Sequence, residues 1–295
     1  MAKRSPSIAL LRWYAAHGRA LPWRTSRDPY HVVVSEFMLQ QTQAERVAAA
    51  FTRFIAGFPS FAALSGAARA DVVRAWKGLG YNLRAVRLHD LAQAVMQRHD
   101  GILPSDIDAL RALPGIGPYT AAAIRVFAFE LDDVAIDVNL RRVVHRLCFG
   151  LEYPPKASAA QLDAEARALL PAGRAHAWNS AMMDLGATIC TARRPKCTRC
   201  PMQRPCAAAP HGAAAIAKAR RVRASEGVPF KHTRRYVRGR VLDRLRELQP
   251  GAVLSAADLV ASVNGVLGSH PFDEILEAME RDGLVVREPS GIRLR

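Results

Sequence analysis

No stretch of this 295-residue chain approaches the roughly 20 consecutive apolar residues of a membrane-spanning helix. The N-terminus, MAKRSPSIALLRWYAAHGRALPWR, starts basic but has no long apolar region and no small-residue cleavage site, so no signal peptide is expected. Acidic residues are scarce: 26 Asp and Glu stand against 42 Lys and Arg, giving a net charge of +16 and a pI near 10.5. That excess points to a polyanionic partner, nucleic acid first. An anionic membrane surface is the weaker rival, because no basic amphipathic helix stands out. Cysteine is scarce too, and four of the five fall within residues 190–206. Thiols that close in a chain of cytosolic character bind metal more often than they form disulfides.

Strand-like alternation is nearly absent from residues 5–205. AERVAAAFTRFIAGF (44–58), ADVVRAWKGLG (70–80) and RAVRLHDLAQAVMQRH (84–99) instead carry apolar residues at helical spacing. GFPS, GILPSD, LPGIGP and EYPP break the helices from one another. The composition is globular, with half the residues hydrophobic and 23% charged, and the length suffices for two or three lobes. Two domains and a linker are expected: an all-α domain over 1–207, a basic Ala-rich linker over 208–229 and a small domain over 230–295. Lys218, Arg220, Arg221, Arg223, Lys231, Arg234, Arg235, Arg238 and Arg240 form a basic arm that could contact phosphates. Helical patterns at about 235–248, 256–264 and 271–282 precede LVVREPSGIRLR, read as two short strands around a Ser-Gly turn. Three helices and a hairpin predict a winged helix. Its third helix is too acidic for the major groove, so packing or a protein partner is expected there.

The tract CTARRPKCTRCPMQRPC has the spacing C-x6-C-x2-C-x5-C through Cys190, Cys197, Cys200 and Cys206. Four sulfurs suit zinc or an iron–sulfur cluster, and zinc ribbons typically use two C-x2-C knuckles where this tract has one. Cys148 reads as a core thiol rather than a ligand. LRALPGIGPYTAAAIRVFAF (110–129) reads as helix, tight Pro-Gly-x-Gly hairpin and helix. Gly115 and Gly117 permit the turn and the close approach of another backbone, and the second helix starts with N–H groups free to face a phosphate.

In order along the chain, LPWR, DPYHVVVSEFMLQQTQ, WKGLGYNLRA, LPGIGPYTAAAI, AIDVNLRRV, WNSAMMDLGATICT and the cysteine loop resemble the helix-hairpin-helix DNA glycosylases of the endonuclease III superfamily. Within them the chain is most similar to the adenine mismatch glycosylases (MutY family), over roughly residues 10–207. The resemblance implies an all-α, two-lobed domain with its active site between the lobes. It also implies a [4Fe-4S] cluster on the four cysteines, and a mispaired or damaged base flipped out of double-stranded DNA. Arg193, Arg194, Lys196 and Arg199 would carry the cluster loop to phosphates. The protein is expected to act as a monomer in the cytoplasm, on the nucleoid.

By the same resemblance Glu36 is the general acid that protonates the leaving base, its proton affinity raised by an apolar pocket. Asp137 stabilises the oxocarbenium-like sugar, with helix capping as a concurrent role. Tyr119 stands where the lyase branch carries a Schiff-base lysine, which implies hydrolysis without strand cleavage, with Tyr119 positioning Asp137 and Asn139. Gln41 and Tyr81 match residues that enter the duplex, flanked by Leu39, Gln40 and Thr42 as DNA contacts. Arg24 matches a residue lining the adenine pocket. Three departures bear on the base: Ser180 where Gln or Glu is common, Val138 where Gly is usual after the aspartate, and no Nudix-like reader domain. Asn82 also replaces a second aromatic beside Tyr81. The expected activity is excision of adenine opposite guanine or 8-oxoguanine. Thymine or uracil excision opposite guanine is the enzymatic alternative, and a silent damage-binding protein the alternative from another class.

Overall fold

The computed structural model describes residues 6–152, 155–219 and 229–295, with 217–219 described for their backbone alone. Part of the EYPP break and residues 220–228 of the basic linker, with Arg220, Arg221 and Arg223, lie outside the described residues, as does the Lys218 side chain. Among the described residues the chain is all-α apart from one hairpin. In order come α1 (Pro6–His17), α2 (Pro29–Leu39), α3 (Ala44–Gly57), α4 (Phe61–Gly66), α5 (Arg69–Ala75) and α6 (Leu83–His99). They are followed by α7 (Ile107–Arg111), α8 (Pro118–Phe127), α9 (Val138–Cys148), α10 (Ala159–Leu169), α11 (Ala175–Thr188) and α12 (Gly212–Ala219). The chain closes with α13 (Arg234–Arg246), α14 (Ala256–Leu267), α15 (Phe272–Arg281), β1 (Val285–Glu288) and β2 (Gly291–Leu294). No described helix is long and apolar enough to cross a membrane.

The chain divides into two compact units, and it passes between them several times. The first comprises Met1–Val33, Ser105–Arg111 and Ile116–Ala224. Its core follows from helical spacing: Leu140, Val143, Val144 and Leu147 of α9 meet Trp178, Ala181, Met182 and Leu185 of α11. Helix α1 packs on α11 and gives Leu10 to this core, while α10, begun by a Ser158/Gln161 capping box, gives Leu162 and Ala166. Asn179 is wholly buried. Its Oδ1 accepts from the Ala135 amide at 2.9 Å and its Nδ2 donates to the Asp133 carbonyl at 3.1 Å, which ties α11 to the segment leading into α9.

The second unit comprises Val34–Pro104, Ala112–Gly115 and Ser225–Arg295. Helix α6 packs against α4 and α5, burying Leu88, Leu91 and Val95 on one face. The C-terminal segment has the expected three helices and hairpin, with α13 burying Val237, Val241, Leu242 and Leu245. The strands pair antiparallel from Val285↔Leu294 to Glu288↔Gly291, so Pro289 and Ser290 form the turn and Gly291 belongs to the ladder. The acids of α15 and of its C-cap pair within the segment: Glu274 with Arg234 at 2.7 Å, and Asp282 with Arg238. Two of the nine cations read as a phosphate arm are therefore committed to α15, and Arg240 pairs with Asp243 at 3.4 Å.

Two expectations need correcting. The helix expected at 70–80 stops at Ala75, where Trp76 turns inward and donates from Nε1 to the Gly80 carbonyl at 3.2 Å. The linker expected from residue 208 starts as structure: Ala208 is fully buried, and Ile216 of α12 is 2% exposed. Long alanine runs hid one apolar anchor.

The hairpin glycines are not equivalent. Gly115 has φ +78°, and a Cβ there would lie 2.9 Å from the Phe37 ring. Gly117 has φ −95° and caps α8 with open space where a Cβ would go, so the turn does not require it. Gly115→Ala is expected to cost roughly 2–4 kcal/mol from backbone strain and ring overlap, and Gly117→Ala under about 1 kcal/mol. Urea unfolding of both variants checks this; equal losses would sink the distinction.

Candidate active site and cysteine-lined cavity

Asp137 is the N-cap of α9. Its Oδ1 accepts from the amides of Asn139 (2.9 Å) and Leu140 (2.6 Å), and its Oδ2 accepts from Asn139 Nδ2 at 2.8 Å. Asn139 Oδ1 in turn accepts from Arg142 at 2.8 Å. The same guanidinium donates to the carbonyls of Gly186 (2.7 Å) and Cys190 (2.8 Å). A continuous chain of hydrogen bonds thus runs from the carboxylate to the backbone of the first tract cysteine. Gly186 makes the approach possible, since a Cβ there would lie 2.7 Å from Asn139 Cβ. Val138, beside the carboxylate, is 76% exposed. Tyr119 is half-buried at the start of α8, its ring packed with Ala122, Ala123 and Ala135.

Ser180 lies on α11, 1% exposed, and its Oγ has no hydrogen-bond partner among the described residues. Arg24 is committed to Asp184, with NH1 to Oδ2 at 2.8 Å and NH2 to Oδ1 at 2.9 Å. Arg19 adds its Nε at 2.7 Å and its amide at 2.9 Å. Burial alone would raise the Asp184 pKa, but hydrogen bonds from Arg24 and Arg19 outweigh it and hold the carboxyl below its usual range.

Glu36 belongs to the second unit. It is 5% exposed on the apolar helix α2. Helix α2 ends in the turn carrying Leu39, Gln40, Gln41 and Thr42, and Tyr81 follows the Trp76 turn. Gln41 (φ 56°) and Tyr81 (φ 45°) both hold left-handed backbone, which costs a side-chain-bearing residue about 1–3 kcal/mol. Arg84 fixes the two turns together. Its guanidinium donates to the carbonyls of Phe37, Met38 and Gln40 at 2.7, 2.8 and 2.6 Å. It also donates to Thr42 Oγ1 and to the Leu79, Gly80 and Tyr81 carbonyls at 3.0–3.3 Å. Burial lowers the Arg84 pKa to about 10. The reading of the sequence passed over Arg84, Arg142 and Asp184. The detectable signal was charge at a buried helical position, as with Asp184 between Ala181 and Leu185.

Cys190, Cys197, Cys200 and Cys206 all line one cavity with Arg146, Ile189, Ala208 and Ile216. Arg146 is 1% exposed and lies 3.5 Å from Cys190 Sγ. Burial pushes the Cys200 thiol up to about 12 and raises Cys197 and Cys206, with further upward contributions from neighbouring thiols. A cationic metal group reverses that penalty. Among the described residues no three His, Cys, Asp or Glu side chains could hold a single metal ion. Four thiols lining one cavity are a donor set that fits an iron–sulfur cluster. Cys148 is half-buried against the core and does not line the cavity. Arg193, Arg194, Lys196 and Arg199 are exposed on the loop.

The family described as HhH-GPD superfamily base excision DNA repair protein matches residues 34–167. The chain is 39% identical over 285 residues to an adenine DNA glycosylase of Mycolicibacterium smegmatis, covering 96% of this chain and 94% of that protein. That share is too large to omit the three-helix segment. It is 37% identical to the human adenine DNA glycosylase over 210 residues, 68% of this chain and 38% of the human protein. Among solved structures, a thermostable thymine-DNA glycosylase superposes with a TM-score of 0.64 at 31% identity, covering 70% of this chain and 95% of its own. An endonuclease III–DNA covalent intermediate shares the fold, with a TM-score of 0.60 at 20% identity over 70% of this chain and 94% of its own.

The Asp184 ion pairs make stability depend on pH. The folded pKa lies below the unfolded value of about 3.9. Their stabilisation is therefore full above about pH 5 and is lost as pH falls through about 4 toward the folded value. Asp184→Asn is expected to cost about 3–5 kcal/mol at pH 7, because two arginines lose their counter-charge. The gap to wild type should shrink below pH 4. Urea unfolding of both proteins between pH 3 and 7 checks this, and a constant gap would refute it.

Proposed function

As the chain belongs to the HhH-GPD superfamily of base excision DNA repair proteins, in its adenine DNA glycosylase family, we propose that it hydrolyses the N-glycosidic bond of adenine mispaired with guanine or 8-oxoguanine in double-stranded DNA. What carries this reading is a buried carboxyl, Glu36, and a helix-capping carboxylate, Asp137, in a chain resembling adenine DNA glycosylases along nearly its whole length. Glu36 gives a proton to the departing base, which turns a poor leaving group into a neutral one. Asp137, held ready by two amides and Asn139, offsets the positive charge that grows on the sugar. Water then takes the place of the base. Tyr119 has no amine to form an imine with the opened sugar, so strand cleavage does not follow.

DNA is held by features that read no sequence. The N-terminus of α8 has no side-chain cap, so its first N–H groups are open to a phosphate, and the space at Gly117 admits a backbone. Arg193, Arg194, Lys196 and Arg199 add positive charge. Gln41 and Tyr81 fill the place of the flipped base, where stacking on an aromatic ring is worth roughly 1–3 kcal/mol. Ser180, whose buried Oγ has no partner among the described residues, and Arg24 with Asp184 belong to the base pocket. Cys190, Cys197, Cys200 and Cys206 would hold a [4Fe-4S] cluster that cross-links the basic loop to α9 and α11.

The 31% likeness to a thymine-DNA glycosylase, together with the short Ser180, favours thymine as the second reading. Single-turnover excision from duplexes with adenine opposite 8-oxoguanine, adenine opposite guanine, and thymine or uracil opposite guanine decides between them. Release of adenine is expected; release of thymine but not adenine would overturn the proposal. Glu36→Gln is expected to slow release at least about 100-fold with mismatch binding retained. Asp137→Asn keeps the cap and therefore the stability, but loses the charge and most of the rate. Normal turnover in Glu36→Gln would remove the acid assignment. Purified protein should be brown with four irons per chain, and Cys197→Ser should lose both colour and iron. A colourless protein with one zinc would exclude the cluster.

A further inference from the structure

The C-terminal segment reaches the turn that carries Tyr81. The Arg235 guanidinium carbon lies 4.8 Å from the centre of the Tyr81 ring, and NH1 donates to the Tyr81 hydroxyl at 2.5 Å. The same guanidinium lies 4.9 Å from the ring of Phe230, which is 52% exposed and stands edge-on to Tyr236 at 5.4 Å. Eleven residues further along α13, Arg246 NH2 donates to Asn82 Oδ1 at 2.8 Å and to the Val73 carbonyl at 2.9 Å. Eleven residues make about three helical turns, so Arg235 and Arg246 share one face. Arg234 and Arg238 serve the other task, pairing with Glu274 of α15 and with Asp282 at its C-cap. One helix is thus anchored within its own domain by two arginines and set on the Tyr81–Asn82 turn by two more.

We propose that Arg235 is a positioning residue for Tyr81: α13 grips the Tyr81–Asn82 turn, and the Arg235 guanidinium fixes the ring for entry beside the flipped base. The inference rests on the reading that Tyr81 enters the duplex. An exposed cation on an aromatic ring adds little to folding stability, so stability alone is a weak reason for the contact. Tyr81 already carries unfavourable backbone, and Arg84 lies 5.6 Å from the ring centre from inside the fold. Arg235 adds a hold on the hydroxyl, the end of the ring that Arg84 does not touch. Asn82 becomes the seat for Arg246. The C-terminal domain thereby takes part in reading the base pair without a groove-reading helix.

The test is a double-mutant cycle on the full chain with Arg235→Ala, Tyr81→Ala and the pair. Two readouts serve: single-turnover base release, and fluorescence of 2-aminopurine opposite guanine in the bound duplex. Arg235→Ala is expected to lower both the release rate and the fluorescence rise about three- to tenfold. The pair should be no worse than Tyr81→Ala alone. Tyr81→Phe, which removes only the hydroxyl, should show a smaller loss of the same kind and leaves the fold intact. Arg235→Lys keeps the charge but loses the planar fork and should restore less than half the effect. Additive losses in the pair, or full restoration by lysine, would overturn the proposal in favour of plain attraction to DNA. If wild type released no adenine, the function assigned above would fall, yet the fluorescence cycle would still decide the role of Arg235.

Discussion

A single buried guanidinium holds two sharp turns of the second unit in shape. Arg84 donates to six main-chain carbonyls and one hydroxyl, drawn from the end of α2 and the turn before α6. It takes part in no ion pair among the described residues, so backbone dipoles carry its charge. That choice is consequential, because a carboxylate would satisfy one side of the fork and leave the carbonyls of two sharp turns without donors. Gln41 and Tyr81 keep their unfavourable backbone because those carbonyls are pinned on either side of them. Local strain at the residues assigned to the duplex is therefore sustained by one cation a few ångströms beneath.

The first unit solves a similar problem with a chain of polar groups. Asp137 caps α9, Asn139 bridges it to Arg142, and Arg142 ends on the carbonyls of Gly186 and Cys190. Each member is placed by a neighbour that is itself placed, so the carboxylate geometry inherits the rigidity of the α9–α11 contact. Asp184, two residues before Gly186, fixes the same helix to Arg19 and Arg24. Helix α11 thus orients the site along its length, although it contributes few of the residues that a chemist would name first.

Much of this was legible in order along the chain. Helical periodicity located α3, α6 and the three C-terminal helices within a few residues, because each buries one continuous apolar stripe. The cysteine spacing announced a shared centre, and the four thiols border one cavity. Tertiary use of charge was not legible. Arg84 and Arg142 look like surface residues in a basic chain, and only the carbonyls around them reveal otherwise. The acidic α15 could be read as unsuited to DNA, but its pairing with Arg234 and Arg238 needed the fold. Helix α12 was hidden because Ala-rich sequence reads as linker until one isoleucine finds a core.

The threading of the chain through both units also sets an order of events during synthesis. Residues Val34–Pro104 emerge together and bring α4, α5 and α6 into contact early. Helix α1 has its packing partner in α11, more than 150 residues later. At 5–20 residues per second the wait is roughly 8–30 s. During that interval Leu10 and its neighbours have no surface to cover them. Helix α1 therefore waits for α11, and the cysteine tract, which follows α11 directly, leaves the ribosome as that place becomes available.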